Sequence, residues 1–264
     1  MASFTAKEVQ SLRRSTGVGM LDAKRALEAN DGDIQKSSIW LREQGIASAA
    51  KRSDRDASQG AVSTVREGGV ASIVELRCET DFVAKSAEFV SLVDEIAARV
   101  AAEGTGVVES FNDGIDTMRT TLKENISIGE VVRLEAGDGE VVDTYLHQQA
   151  GRGVNAVAVV LKGGSEELAH DIAVHAAFAR PMVARREDVP AEEVAQERAT
   201  IESISRNEGK PEASLDKIIE GRMNGWFKER VLLEQPFARD EKKTITQILG
   251  DAELVSFAQV IVGD

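Results

Sequence analysis

The sequence has few cysteines and histidines that could act as a nucleophile or bind a metal ion. The only cysteine is Cys78, and the histidines are His147, His170 and His175. A thiol attacks as a nucleophile when a base beside it takes its proton, but Cys78 stands among strand residues, where a small buried side chain is the commoner role. His170 and His175 are five positions apart, about 140° around a helix, which suits two ligands of one metal poorly. We therefore predict no catalytic residue and no metal site.

Sequence patterns that bind nucleotides and redox cofactors are missing as well. The chain has no GxxxxGK[ST] phosphate-binding loop. The Gly-Arg-Gly at 151–153, which we expect in a connection between strands, is too short for a dinucleotide fingerprint. A single cysteine also excludes an internal disulfide and a cysteine-based zinc cluster. We therefore expect no cofactor, and a hydrolase or transferase built around Cys78 and a histidine is the one enzymatic alternative.

The segment that most suggests a function is CETDFVAK at 78–85, between a predicted hairpin and a predicted long helix. One interpretation is structural, because Thr80 or Asp81 can cap the helix while Phe82 packs beneath it. The other is functional, because loops at such polar corners present binding groups. An exposed Phe82 could contribute ~1.5–3 kcal/mol by entering a pocket of a partner.

Length, composition and charge limit the classes of protein that fit. The chain has 264 residues, of which 42% are hydrophobic, which is enough to bury the cores of one large or two to three small domains. Its net charge of −13 disfavours a general nucleic-acid binder, because affinity for phosphates comes from clustered Lys and Arg. No apolar run approaches the ~18 residues of a membrane span, and the N-terminus lacks signal-peptide features. We expect a soluble cytoplasmic protein without direct contact to nucleic acid or membranes.

The N-terminal part differs from the rest in charge and in pattern. The first 55 residues carry a net charge of +3 and the remainder −16, which indicates a separately built module able to approach an acidic surface. Hydrophobic periodicity predicts three short helices within residues 1–46, the third ending near Gly45. The basic, Ala- and Ser-rich residues 47–60 predict a helical linker.

Past the linker, the pattern predicts two α+β units. Residues 61–139 predict a hairpin, an amphipathic helix and a further strand, and residues 140–264 repeat this order. The pattern at 188–230 predicts an insertion of two helices joined by a tight turn, which form an antiparallel hairpin. Its apolar seams could cover each other, join a second copy of the chain or contact a partner. We expect Leu232-Leu233 and a strand over 254–262 to rejoin the second sheet.

Several motifs, in order along essentially the whole chain, resemble the bacterial elongation factor Ts family. They are TGVGMLDAKRAL at 16–27, NDGD at 30–33, TDFVAK at 80–85, Tyr145 and His147 before a glycine-rich turn, EGRM at 220–223 and QPF at 235–237. The resemblance implies a ubiquitin-associated-like three-helix module, two α+β subdomains with three-stranded antiparallel sheets, and a coiled-coil hairpin. It also implies a non-catalytic exchange factor that binds elongation factor Tu, both GDP-bound and nucleotide-free.

The resemblance further implies roles for particular residues. The corner that displaces the partner's magnesium would consist of Thr80, Asp81, Phe82 and Val83. Other contacts to the partner would come from Leu12, Met20, Lys24, Lys51 and His147, the last of them near the partner's phosphate-binding loop. An adaptor whose three-helix module binds ubiquitin-like folds is the remaining alternative, and it would bind its partner without any need for Asp81 and Phe82.

Overall fold

The N-terminal module consists of three helices. The computed structural model describes residues 4–50 and 55–263, and for residues 45–50 it describes the backbone alone. The helices are α1 (Ala6–Thr16), α2 (Met20–Ala29) and α3 (Ile34–Ala50). Helix α3 continues past its predicted end near Gly45 to Ala50, so the first part of the predicted helical linker is helical. The Ala-rich sequence there favours helix strongly enough to tolerate the roughly 1 kcal/mol that an internal glycine costs. The later part of the linker prediction is wrong, because residues 55–58 form no helix and a strand begins at Gln59.

The first α+β unit has one antiparallel sheet with the strand order β1-β2-β3. Its elements are β1 (Gln59–Glu67), β2 (Val70–Cys78), α4 (Asp81–Ala84), α5 (Ala87–Glu103), α6 (Asn112–Leu122) and β3 (Ser127–Glu135). Helix α5 covers one face of the sheet, where Phe89, Ile96 and Val100 are fully buried. Helix α6 contacts the N-terminal module, for example through the ion pair between Arg42 and Asp113, which is 3.0 Å long.

The second unit repeats this arrangement with the strand order β4-β5-β8. Its elements are β4 (Glu140–Gln149), β5 (Arg152–Lys162), α7 (Glu166–Ala179), α8 (Ala191–Asn207), α9 (Glu212–Arg230), β6 (Pro236–Phe237), β7 (Asp240–Thr244), α10 (Ile245–Leu249) and β8 (Glu253–Ile261). The predicted α+β class, with its helical module and two three-stranded antiparallel sheets, is confirmed. The exact domain boundaries stay a prediction. Among the described residues, no helix combines the length and the apolar character that a bilayer span requires.

The two sheets pack directly against each other. Their shared core contains Val62, Ala71, Ile73, Val142, Ala156, Ala158, Val160 and Val260. Helix α5, the first sheet, the second sheet and α7 therefore form four layers. Because β5 is buried on both faces, its sequence is almost continuously apolar instead of alternating.

Two predictions about the second unit are wrong. Leu232 and Leu233 do not join the sheet: they belong to a single 3₁₀ turn, where the Leu232 N–H donates to the carbonyl of Val183. Arg152 and Gly153 are not in a connection but begin β5. The chain reverses over Ala150 and Gly151, both with positive φ, as the two central positions of a type I′ hairpin turn require.

The helical hairpin α8–α9 buries its own seam. Ile201, Leu215, Ile219, Met223 and Phe227 pack together between the two helices. Ile204 is the large apolar side chain of this hairpin that stays exposed among the described residues. The apolar seam of each helix is thus covered by the other helix of the hairpin. Self-association through the hairpin stays a prediction.

At Gly153 the backbone of the second sheet lies close to that of the first. A Cβ at this position would lie 2.1 Å from the carbonyl oxygen of Val62 in β1. We expect Gly153→Ala to destabilise the protein by about 1–3 kcal/mol, because the strand backbones must separate. Gly221→Ala is the matched control, since that helical glycine has open space around it and alanine should stabilise α9 by up to about 1 kcal/mol. Urea unfolding midpoints that shift in the same direction for both variants would contradict this account.

Candidate partner-binding site

The corner between β2 and α5 presents Phe82 to solvent. Helix α4 is a single turn that begins after Thr80, whose hydroxyl oxygen accepts the Val83 N–H at 3.4 Å. Phe82 is 83% exposed, whereas Ala84 two residues later is fully buried. Thr80 therefore caps the single turn α4, whereas the long helix α5 is capped by Ser86. The interpretation in which Thr80 or Asp81 caps the long helix while Phe82 packs beneath it is wrong on both points.

Glu124, in the loop between α6 and β3, holds this corner in place. One of its carboxylate oxygens accepts the backbone N–H groups of Glu79 and Thr80, each at 3.1 Å. The other oxygen accepts the Thr80 hydroxyl. In return, the Glu79 carboxylate accepts the Asn125 N–H at 2.7 Å. The corner is thus tied to a segment about 45 residues further along, a partnership that no local sequence pattern could indicate.

Asp81 places a negative charge beside the exposed ring. Its carboxylate pairs with Lys85 one turn later. The hydrogen bond from Lys85 holds the pKa of Asp81 below its ordinary value, and the positive charges of Lys85 and Arg152 act in the same direction. Asp81 is therefore ionised at neutral pH, so the corner combines a carboxylate with an apolar ring.

Cys78 lies directly beneath this corner and is fully buried. Burial raises the pKa of its thiol to about 12, and the nearby Glu124 charge adds to the rise. A nucleophilic cysteine needs the opposite environment, an accessible site that stabilises the thiolate. The structure therefore disfavours the enzymatic alternative built on Cys78.

We expect Cys78 to resist alkylation in the folded protein. Iodoacetamide at pH 8 should leave native protein unmodified over the time in which urea-unfolded protein reacts completely, because the buried thiol stays protonated. Mass spectrometry of both samples gives the extent of modification. Equal rates in the two samples would restore the enzymatic alternative.

The residues of the N-terminal part that are predicted to contact the partner differ in their surroundings. Met20 and Lys24 line a shallow groove of about 540 Å³, together with Phe4. Leu12 is fully buried in the module core, so its predicted place on the docking surface is wrong: its spacing marks the inner face of α1. Lys51 lies outside the described residues.

The three histidines have different environments. His147 is exposed on β4, beside a bulge in its pairing with β5. His170 contacts Asp143 at 3.0 Å. His175 is buried, and burial lowers its pKa. Its Nδ1 accepts the Ala238 N–H at 3.2 Å, so Nε2 carries the proton of the neutral ring. Among the described residues, no cluster of His, Cys, Asp and Glu could hold a metal ion.

Arg152 connects the corner with the region around His147. Its Nη2 donates to Gln59 Oε1 at 3.3 Å, and Gln59 pairs with Cys78 at the end of β2. On its other side, Arg152 pairs with Gln149, two residues after His147. The corner of the first unit and the exposed histidine of the second therefore lie at the same end of the packed sheets.

Comparisons with known proteins give one consistent result. Residues 79–264 match the family model described as Elongation factor TS. The elongation factors Ts of Kineococcus radiotolerans and Clavibacter michiganensis are each 43% identical to the chain over 277 residues, and that of Micrococcus luteus is 41% identical over 278. Each alignment covers the whole of both chains and so includes the N-terminal module that the family model leaves out. The chain therefore belongs to the elongation factor Ts family.

Proposed function

We propose that this protein is the guanine-nucleotide exchange factor of elongation factor Tu, which binds the GDP-bound and nucleotide-free partner and accelerates GDP release. Membership of the elongation factor Ts family makes it a translation elongation factor. The observation that supports the exchange role is the 83% exposure of Phe82 at a corner fixed by hydrogen bonds. Burying such a ring in a partner is worth ~1.5–3 kcal/mol.

The corner is suited to act as a wedge because it is already ordered. An ordered binding group loses less conformational entropy on binding than a mobile one, so more of its contact energy is available to deform the partner. Glu124 and the Thr80 cap supply this order. Thr80 and Val83 would shape the wedge, and Asp81 and Phe82 would enter the partner.

The wedge would act on the partner's magnesium site. A GTPase holds GDP largely through its phosphates, by Mg²⁺, a lysine and backbone N–H groups. If Asp81 and Phe82 displace the side chains that support the Mg²⁺, the phosphates lose their strongest opposing charge and GDP leaves faster. His147 would contact the partner near its phosphate-binding loop, while Met20, Lys24 and Lys51 would hold the GTPase domain.

The exchange factor would be released by the next nucleotide. Coupling between two ligands is reciprocal, so a factor that weakens GDP binding is itself weakened by bound nucleotide to the same extent. GTP loading therefore ejects the factor, and one molecule serves many partners. This cycle makes and breaks no covalent bond and needs no cofactor, nucleic acid or membrane, in keeping with a cytoplasmic site of action.

The direct test is a stopped-flow measurement of fluorescent GDP leaving elongation factor Tu. We expect release to accelerate with rising concentration of this protein and to saturate. Excess Mg²⁺ should oppose the acceleration, because it favours the Mg²⁺-bound form of elongation factor Tu over the form from which Mg²⁺ has been displaced. Binding without acceleration would favour the adaptor alternative. If the protein neither binds elongation factor Tu nor accelerates GDP release, the proposed function is refuted.

A further inference from the structure

Arg152 is a buried arginine without an acidic partner. It is only 9% exposed, and its Nε and Nη1 have no hydrogen-bond acceptor. Its Nη2 donates to the neutral amide oxygen of Gln59 at 3.3 Å. None of the ion pairs found within residues 4–50 and 55–263 includes it. A buried cation is costly unless an opposite charge lies close to it, so stability alone gives no reason for an arginine at this position.

The hydrogen bond between Arg152 and Gln59 joins the two α+β units. Arg152 begins β5 of the second unit, and Gln59 begins β1 of the first. Gly153 makes this contact possible, because a Cβ there would lie 2.1 Å from the carbonyl oxygen of Val62 and would force the strands apart. The guanidinium therefore reaches from one unit into the other at the place where their backbones lie close together.

The two parts of the proposed exchange surface, the Phe82 corner and His147, lie on either side of this contact. In the first unit, Gln59 pairs with Cys78, which lies directly beneath the corner. In the second unit, the start of β5 pairs with the end of β4, the strand that carries the exposed His147. The contact between Arg152 and Gln59 is thus a polar link between the two parts.

The charge of Arg152 also acts on the corner itself. The hydrogen bond from Lys85 is the main cause of the lowered pKa of Asp81, and the charge of Arg152 acts in the same direction. Burial raises the pKa of the Cys78 thiol, and the charge of Arg152 opposes that rise. Arg152 is therefore close enough to stabilise the negative charge that the corner carries.

We propose that Arg152 is a positioning residue of the exchange surface, which fixes the Phe82 corner of the first unit relative to His147 of the second. This inference rests on the proposed function. Arg152 would act through Gln59, and a guanidinium suits this role because its planar fork fixes direction as well as distance. Groups that must act on one partner together lose efficiency when their relative position changes. The unpaired charge would thus be retained for exchange, at a cost to stability.

The test compares stability with GDP release from elongation factor Tu. Arg152→Met removes the charge and keeps an unbranched side chain, so the urea unfolding midpoint should stay unchanged or rise. The maximal rate of GDP release should fall by roughly 3- to 30-fold. The concentration that gives half-maximal release should stay unchanged, because every group that contacts the partner is still present. Arg152→Lys, which keeps the charge but not the planar fork, should give an intermediate rate.

Arg185→Met is the matched control. Arg185 is a half-buried arginine of the same unit, and its Nη2 donates to the carbonyl oxygen of Leu254. Its replacement should lower the urea unfolding midpoint and leave GDP release unchanged. A double-mutant cycle then checks the route of action. Gln59→Met should also slow release, and the double variant should be no slower than Arg152→Met alone; additive effects would overturn the proposal.

The remaining outcomes are equally decisive. A lower urea midpoint in Arg152→Met would overturn the proposal, because Arg152 would then support the fold. An unchanged rate of release would overturn it as well. A higher half-saturating concentration at an unchanged maximal rate would show that Arg152 contacts the partner, which also contradicts a positioning role. All three results leave the proposed function standing, provided that the unchanged protein accelerates GDP release. If the unchanged protein does not, the proposed function is refuted and this inference with it.

Discussion

Replacing Phe82 with alanine should remove most of the acceleration of GDP release while the protein stays folded. Phe82 is 83% exposed and belongs to no buried cluster of the described residues, so the loss of its ring leaves no cavity. Its burial in the partner is worth ~1.5–3 kcal/mol, which corresponds to a roughly 10- to 150-fold loss of exchange efficiency. Stopped-flow release of fluorescent GDP measures the effect, and urea unfolding checks the stability.

Two variants calibrate this result. Phe89→Ala removes a fully buried ring nearby and should destabilise the fold by about 3–5 kcal/mol. Ile204→Ala removes an exposed apolar side chain on the helical hairpin and should change neither stability nor exchange. If Phe82→Ala unfolds the protein as Phe89→Ala does, the packing interpretation of Phe82 is correct and the wedge is not.

Glu124→Ala should impair exchange although Phe82 itself is untouched. The substitution removes the acceptor of two backbone N–H groups and of the Thr80 hydroxyl. Hydrogen bonds to a charged group are worth roughly 1.5–3 kcal/mol each, so the corner should lose its fixed conformation. A mobile corner must pay an entropy cost before it can press on a partner. We expect weaker GDP release together with a loss of global stability of roughly 1.5–3 kcal/mol or more.

Amide hydrogen exchange shows whether the corner has loosened. The Glu79 and Thr80 amides should lose protection in Glu124→Ala and keep part of it in Glu124→Gln, whose remaining carbonyl oxygen still accepts a hydrogen bond. Glu109→Ala, a change at an exposed acid of the same unit, is the control and should affect neither amide protection nor GDP release. Full acceleration of GDP release by Glu124→Ala would show that the corner does not need its hydrogen bonds to Glu124.

Much of the fold was predictable because it is encoded locally. Alternation on either side of Gly68-Gly69 predicted the hairpin that the structure forms as β1 and β2. The 3.6-residue period of Phe89, Val93 and Ile96 predicted α5. The Leu232-Leu233 prediction failed because two apolar residues carry no periodicity, and their place was decided by contacts with the chain around Val183.

The sequence by itself determined the family motifs and the lack of catalytic and cofactor-binding patterns. It also indicated the corner at Thr80–Val83 as the candidate partner-binding site. Only the tertiary structure decided that Phe82 is exposed while Leu12 is buried. It also decided that Glu124 clamps the corner. The reason is physical: periodicity and capping act over a few residues, whereas burial depends on which distant segments pack nearby. The local sequence around a single apolar residue such as Phe82 therefore does not distinguish a ring that lies in a core from one that lies in water.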